Sequence, residues 1–406
     1  MSEPRSAHPQ PLDGIKVLEL GQLIAGPYAA KILAEFGADV IKVEPPRGGD
    51  PLRNWRLLKN GTSVWWQAQS RNKRSVAIDL HTAEGQELVR QLAREADVLV
   101  ENFRPGTLES WGLGWTELSA INPGLIMLRI SGFGQTGPYA QRPGFGVIAE
   151  AMGGLRYLTG EPGRVPVRVG VSIGDSLAGL HGVIGVLLAL YHRAAHGGRG
   201  QVVDVALYES VFSVMESLIP EYSAFGVVRE PAGSALAGIA PTNAYRCIDG
   251  WVLIAGNGDR IFHRLMRTIG RADLADDPNL QNNAGRSSKA DVLDAAIEEW
   301  TRERSIADVL AAMEEAHVPA GRAYTARDIA EDEHYRARDM ILSVPTDDGD
   351  TIDVPGIIPK LSATPGAVRR VAPRLGEHTR EVLGEMGTPD ETREQLRARG
   401  VIAETA

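Results

Sequence analysis

The stretch that most constrains the fold lies near the start of the chain. Ile15 to Leu20 has the apolar alternation of a strand and opens into Gly21-Gln22-Leu23-Ile24-Ala25-Gly26-Pro27. Pro27 suits the first turn of a helix, Tyr28 to Phe36 continues it, and Gly37 stops it. Asp39 to Glu44 is the next strand. Strand, helix and strand within roughly 30 residues form a βαβ unit, which requires parallel strands joined by a right-handed crossover. A chain that begins this way is an α/β protein with a parallel sheet.

The pattern continues. Val76 to Leu80, Asp97 to Val100, Leu125 to Ile130 and Gln201 to Leu207 read as strands, and Thr82 caps a helix running to about Ala96. Glu101-Asn102-Phe103-Arg104 follows one strand directly, at the end where open α/β sheets bind ligands. Pro45 to Ser70 breaks the pattern with Arg47, Asp50, Arg53, Trp55, Arg56, Trp65 and Trp66, and Arg71-Asn72-Lys73-Arg74 comes next. Such a loop offers guanidinium groups to phosphates and flat indoles to a purine; a solvated loop with its aromatics packed on the domain is the plainer alternative. Gly132 to Gly137 spells G-x-G-x-x-G after a strand, but Pro138 to Gly144 follows instead of a helix. No helix N-terminus is then aimed at a pyrophosphate, so the dinucleotide reading fails.

Farther on, Gly170 to Gly179 carries a glycine-flanked Asp175, and Leu180 to Ala195 reads as a buried helix. Asp175 is either the cap of that helix or a carboxylate held where small neighbours admit a substrate. The helix Glu209 to Tyr222 closes the first lobe, and Ala232 to Pro241 is a linker or loop. A hairpin turning at Asp249-Gly250 ends in Gly256-Asn257-Gly258-Asp259. Helices near 260–270, 288–303 and 305–316 complete a smaller α+β lobe; strand character around Asp348-Gly349 and helices at Thr379 to Met386 and Glu391 to Arg399 end the chain. Two lobes suit a length of 406 residues.

Charge and cysteine usage narrow the function classes. A net charge of −9 argues against nucleic-acid binding, while basic clusters in the first hundred residues suit a small anionic ligand. No run reaches the ~18 uninterrupted apolar residues of a membrane span. The first ten residues lack the apolar core of a secretory signal and read as a loose arm of a cytoplasmic protein. A single cysteine, Cys247, excludes an internal disulfide framework and a multi-cysteine metal site. His81, His181, His192, His196 and His263 show no ligand spacing, so no metal is expected.

Several segments in one order resemble the class III CoA-transferases, among them formyl-CoA transferase and carnitine CoA-transferase. They are Pro11 to Glu19, Ala25-Gly-Pro27, Gly37 to Glu44, Asn72 to Ser75, Glu101-Asn-Phe103, Gly134 to Pro138, Gly174-Asp175, Gly198 to Gln201 and Leu375 to Thr379. Within the family the chain looks most like the succinyl-CoA:dicarboxylate branch, such as the glutarate enzymes. The resemblance implies a Rossmann-like large domain over 1–225, a small α+β domain over 226–344 and a segment over 345–406 returning to the large domain. It also implies an interlocked homodimer. Asp175 would be the catalytic nucleophile. Ile24, Ala25, Arg47, Arg71, Lys73, Asn102, Phe103 and Arg104 would bind CoA, a substrate rather than a tightly held cofactor. Tyr139 would line the active site, and Gly256, Asn257 and Gly258 would match the loop that covers it. The implied reaction transfers CoA from an acyl-CoA, succinyl-CoA first, to a dicarboxylate or analogue through aspartyl anhydride and aspartyl-CoA intermediates. An α-methylacyl-CoA racemase or a lyase-like acyl-CoA enzyme of the same fold is the alternative. Where the racemases carry a proton-transferring histidine, this chain reads Gly144-Phe145-Gly146, and phenylalanine moves no proton.

Overall fold

A computed structural model describes residues 9–346 and 349–405. Of the arm expected at the start of the chain, residues 1–8 lie outside the described residues, as does Asp348 of the expected turn. β1 (Lys16–Glu19), α1 (Ala25–Glu35) and β2 (Asp39–Glu44) form the βαβ unit, with β1 and β2 parallel. β3 (Lys73–Ile78), α2 (Ala83–Glu95), β4 (Val98–Glu101) and β5 (Ile126–Ser131) follow, then α3 (Gly146–Met152), α4 (Ile173–His196) and β6 (Val202–Ala206). Beyond them lie the hairpin β7 (Thr242–Cys247) and β8 (Gly250–Ala255), α5 (Asp259–Thr268) and β9 (Ala320–Arg322). A second hairpin, β10 (Ile341–Pro345) and β11 (Thr351–Pro355), precedes α6 (Thr379–Glu385) and β12 (Ile402–Ala403).

The chain divides into two compact units, one of Met1–Leu155, Gly170–Glu216 and His334–Ala406, the other of Arg156–Val169 and Ser217–Glu333. The larger holds a seven-stranded sheet in the order β12-β3-β2-β1-β4-β5-β6. All its pairs are parallel except β12, which lies antiparallel on β3. Ala29, Ala30 and Leu33 of α1 and Val183 and Val186 of α4 cover one face, burying Val100, Leu128 and Ile130. Leu88, Val89 and Leu92 of α2 and Leu383 of α6 cover the other, burying Leu99 and Met127. Each of these valine, leucine, isoleucine and methionine side chains, once fully buried, contributes about 1.5–3 kcal/mol of transfer free energy. The smaller unit packs Tyr245, Val252 and Ile254 of its three-stranded sheet against Phe262 and Leu265 of α5.

Three boundaries differ from the sequence reading. α4 starts at Ile173, well before Leu180, because its first turns carry small residues in place of the bulky apolar ones that mark a core helix. The expected helix over 209–222 is two helices, Leu207–Phe212 and Leu218–Phe225, with Glu216 between them in the left-handed region at φ 52°. β3 begins at Lys73 instead of Val76, which takes Lys73 and Arg74 out of the expected loop and into the sheet. By length and composition α4 would suffice to cross a membrane. Here it packs lengthwise on α1, β5 and β6.

Candidate active site

Asp175 is the third residue of α4, and Ser172 holds the cap position, so the aspartate is not the cap. Two glycines shape its surroundings. Gly174 is buried with its α-carbon turned toward the Gly146 carbonyl, which a β-carbon there would meet at 3.3 Å. Gly146 is the first residue of α3, and a β-carbon built on it would fall 2.1 Å from Asp175 Oδ2. The carboxylate therefore rests against bare backbone at the first turn of one helix while belonging to the first turn of another. Helix N-termini favour negative charge. The carboxylate is half-buried where the two helix starts meet.

Gly179, one turn farther along the same face, brings α1 close. A β-carbon there would meet Tyr28 Cδ1 at 2.9 Å and the Ala25 carbonyl at 3.0 Å. The start of α4 and the start of α1 thus share one end of the helix pair, beside the Gly21–Pro27 loop that leaves β1. Side chains from other segments hold that loop. Lys42 Nζ donates to the Gly21 carbonyl at 2.8 Å. Asn102 accepts from Gln22 N–H and donates to Gln22 O, both at 2.8 Å. Asp50 accepts from Leu23 N–H at 3.1 Å, and Gln69 donates to Ile24 O at 3.0 Å. Lys73 donates to Pro27 O at 2.8 Å.

Beneath the loop lies a buried ion cluster. Lys42 Nζ is 2.8 Å from Glu19 and 2.9 Å from Asp50, and Lys73 Nζ is 2.8 Å from the other Glu19 oxygen; all four side chains are inaccessible. Burial pulls Lys42 down, but Asp50, Glu19 and Glu44 outweigh it and its pKa is raised. For Lys73 burial wins over Glu19, and its pKa falls to about 8. Burial would raise Asp50, but Lys42 and two backbone donors leave it lowered.

The expected CoA-binding residues fall into two groups. Arg47 and Arg104 are exposed, and Arg104 also donates to the Gln141 carbonyl. Ile24 and Ala25 are buried at the start of α1. Arg71, 1% exposed, is engaged by Glu35 and donates to Pro355 O at 2.7 Å, while Lys73 is 0% exposed. Asn102 spends its amide on Gln22. Phe103 stacks edge-on with Trp111 at 5.4 Å, and its N–H donates to Glu101. Burial pushes Glu101 up to about 7 against the pull of Arg129, with which it pairs at 2.7 Å. Tyr139 is exposed, packs edge-on against Phe133, and carries the Arg142 guanidinium 3.6 Å above its ring. In the smaller unit, Gly256, Asn257 and Gly258 join β8 to α5. Arg286 donates to the Asn257 carbonyl at 2.8 Å, and a β-carbon on Gly256 would meet Leu265 Cδ2 at 2.4 Å.

The sequence reading missed Gly146, Lys42, Glu19, Gln22 and Gln69. Lys42 and Glu19 left a trace, since a charged residue inside a buried strand needs a buried partner. Gly146 entered only as part of the stretch where racemases carry a histidine; its contact with Asp175 comes from a distant segment and left no local sign. Among the described residues no cluster of metal-ligating side chains occurs.

Residues 12–379 match CoA-transferase family III. The chain is 49% identical to succinyl-CoA–D-citramalate CoA-transferase of Chloroflexus aurantiacus, over 97% of this chain and 98% of that one. It is 37% identical to succinate–glutarate CoA-transferase of Agrobacterium fabrum, over 94% and 97%. A crystal structure of a CAIB/BAIF family protein from Brucella suis superposes with a TM-score of 0.83 at 38% identity, covering 93% of this chain and 100% of that one. The sheet, the glycine-flanked aspartate and these matches together make the chain a member of the class III CoA-transferase family.

Proposed function

We propose that the enzyme moves CoA from succinyl-CoA to a small dicarboxylate, with Asp175 as the nucleophile. The observation that carries this reading is the Asp175 carboxylate seated against the bare α-carbon of Gly146, at the starts of two helices. Asp175 attacks the succinyl carbonyl, the carbon–sulfur bond breaks, and CoA leaves as thiolate from a mixed anhydride. The thiolate attacks the aspartyl carbonyl and expels succinate, leaving an aspartyl-CoA thioester. The acceptor carboxylate attacks that carbonyl, releasing thiolate and forming a second anhydride. Thiolate then takes the acceptor's acyl group, and the Asp175 carboxylate is restored.

The exposed Arg47 and Arg104 supply charge for the coenzyme phosphates, and Tyr139 with Arg142 offers a flat cationic surface beside Arg104, which donates to the Gln141 carbonyl. The relatives above act, by their names, on succinyl-CoA and citramalate or on succinate and glutarate, which supports a dicarboxylate acceptor. Citramalate is the first acceptor to try. A homodimer is supported by the stripe Leu180, Ile184, Leu187, Leu188 and Tyr191, exposed along α4. Native mass spectrometry is expected to show two chains per particle. A cytoplasmic setting accords with Cys247 being a buried free thiol.

Intact-protein mass spectrometry after succinyl-CoA and a hydroxylamine quench tests the chemistry. Wild type is expected to carry a hydroxamate at Asp175, and Asp175→Ala none. An adduct that survives in Asp175→Ala removes the nucleophile assignment.

A further inference from the structure

The Gly21–Pro27 loop leaves the C-terminal end of β1, next to the end of β4, where a parallel sheet receives its ligand. Loops at such positions commonly satisfy their backbone with water or the ligand. This one is held by side chains from five places: Lys42, Asn102, Asp50, Gln69 and Lys73 secure successive backbone groups from Gly21 to Pro27. The restraint is strongest where the backbone is least comfortable. Leu23 has φ 65°, a left-handed conformation that a leucine adopts only when its surroundings impose it. Asp50 holds the Leu23 N–H on one side, and Asn102 grips both backbone groups of Gln22 on the other. Asp50 is itself fixed by Lys42 at 2.9 Å and by its bond to Leu52 N–H.

Asn102 is the informative member. Its amide oxygen and nitrogen are each engaged at 2.8 Å by the same residue, Gln22, in the pairing geometry of a peptide–amide ring. Both ends of that amide are thus committed to the loop, one hydrogen bond each. Gly21 is packed against it, since a β-carbon there would meet Asn102 Oδ1 at 3.0 Å.

We infer that Asn102, Asp50 and Gln69 are positioning residues for CoA transfer, which rests on the coenzyme reading proposed above. They hold the Gly21–Ile24 backbone in the shape that receives the acyl-CoA beside Asp175, and they act through the loop without touching the coenzyme. The loop is thereby ordered before the substrate arrives, and the ordering cost is removed from the binding step. Releasing one clamp returns that cost to binding, so the defect appears in KM more than in kcat.

The experiment combines amide hydrogen exchange on the ligand-free enzyme with steady-state kinetics in succinyl-CoA. Asn102→Ala is expected to speed exchange at Gly21 to Ile24 and to raise the KM for succinyl-CoA about ten-fold, the loss of two modest hydrogen bonds. Saturating free CoA is expected to restore the wild-type protection. Asn102→Asp, which keeps an acceptor for Gln22 N–H, should fall between. Gln69→Ala releases only the Ile24 carbonyl and should move both readouts the same way by less; it decides the matter if Asn102→Ala does not fold. A raised KM with unchanged exchange overturns the inference, because Asn102 would then be meeting the coenzyme directly. Faster exchange with an unchanged KM overturns it as well, because the clamp would then serve only the fold. A wild-type enzyme inert with every acyl-CoA would instead defeat the coenzyme reading, a failure visible without any variant.

Discussion

A carboxylate nucleophile works only if its oxygen meets the acyl carbon along a defined path, and in the role proposed for Asp175 a hydrogen atom sets that path. Gly146 presents no side chain, and Asp175 Oδ2 occupies the space a β-carbon would take, 2.1 Å from it. Gly146→Ala must push the carboxylate aside or shift α3. An ångström of misplacement costs catalysis about 100-fold. We expect Gly146→Ala to lower the transfer rate by that order while leaving the melting temperature within a few degrees, checked by initial rates beside a thermal melt. A rate close to wild type would mean that the carboxylate moves freely before it reacts. The sequence marks Asp175 as a candidate, a glycine-flanked acid at an apolar helix, and its position in the first turn of α4 is what the structure adds. Its seat was not legible, because Gly146 meets it across a stretch of chain whose path the sequence does not disclose.

Elements tell a similar story. α4 carries glycine at 179, 182 and 185 on the face turned to α1 and the sheet, although each glycine costs a helix about 1 kcal/mol relative to alanine. The close packing explains them. A β-carbon on Gly182 would meet Leu128 Cδ2 at 2.9 Å, and one on Gly185 would meet Val203 Cγ1 at 2.4 Å. Leu128 can swing its tip away, but Val203 is β-branched and stiff on its strand. Gly185→Ala should therefore be destabilising, its overpacking cost of about 1–3 kcal/mol exceeding the gain in helix propensity. Chemical denaturation is expected to show a lower midpoint with an unchanged slope. A midpoint at or above that of wild type would show that helix and sheet have room to separate. Strands and helices of this unit were legible from their periodicity, and the boundaries failed where residue type misled. Lys73 and Arg74 looked like loop cations, yet β3 takes both, because Glu19 pairs with one and Asp39, Glu381 and Glu385 surround the other. Such partners are tertiary, and no local pattern announces them.

On the scale of the whole molecule, the chain returns in its last segment to the unit it began. Residues 334–406 belong with the N-terminal sheet, and β12 pairs with β3. His378 fastens this return. It is 8% exposed, and the ring faces two donors: Ser75 N–H, 3.3 Å from Nδ1, and the Arg370 guanidinium, 3.4 Å from Nε2. A neutral ring can accept from only one of them, and a protonated ring from neither. Burial first, then Arg370, lower its pKa below 6.5; Glu377 and Glu381 pull the other way without reversing it, and Arg74 adds a smaller push downward. The unfolded chain therefore binds the proton more readily than the folded one. The stabilisation from neutral His378 is complete above pH 6.5 and is lost as the pH falls from there toward the folded-state value. His378→Gln, which keeps an acceptor for Ser75 N–H without a titrating ring, should weaken the fall in denaturation midpoint between neutral and mildly acid pH. An unchanged slope in that variant would place the acid sensitivity elsewhere, with Glu101 a poor candidate. Its pKa is raised by burial to about 7, so its contribution is largest below the ordinary carboxylate range and is lost as the pH climbs, the opposite sign. The Leu375 to Thr379 segment was legible as a family signature near the end of the chain. That its histidine must stay neutral to fasten the last segment onto the first sheet follows only once Ser75 and Arg370 are seen beside it.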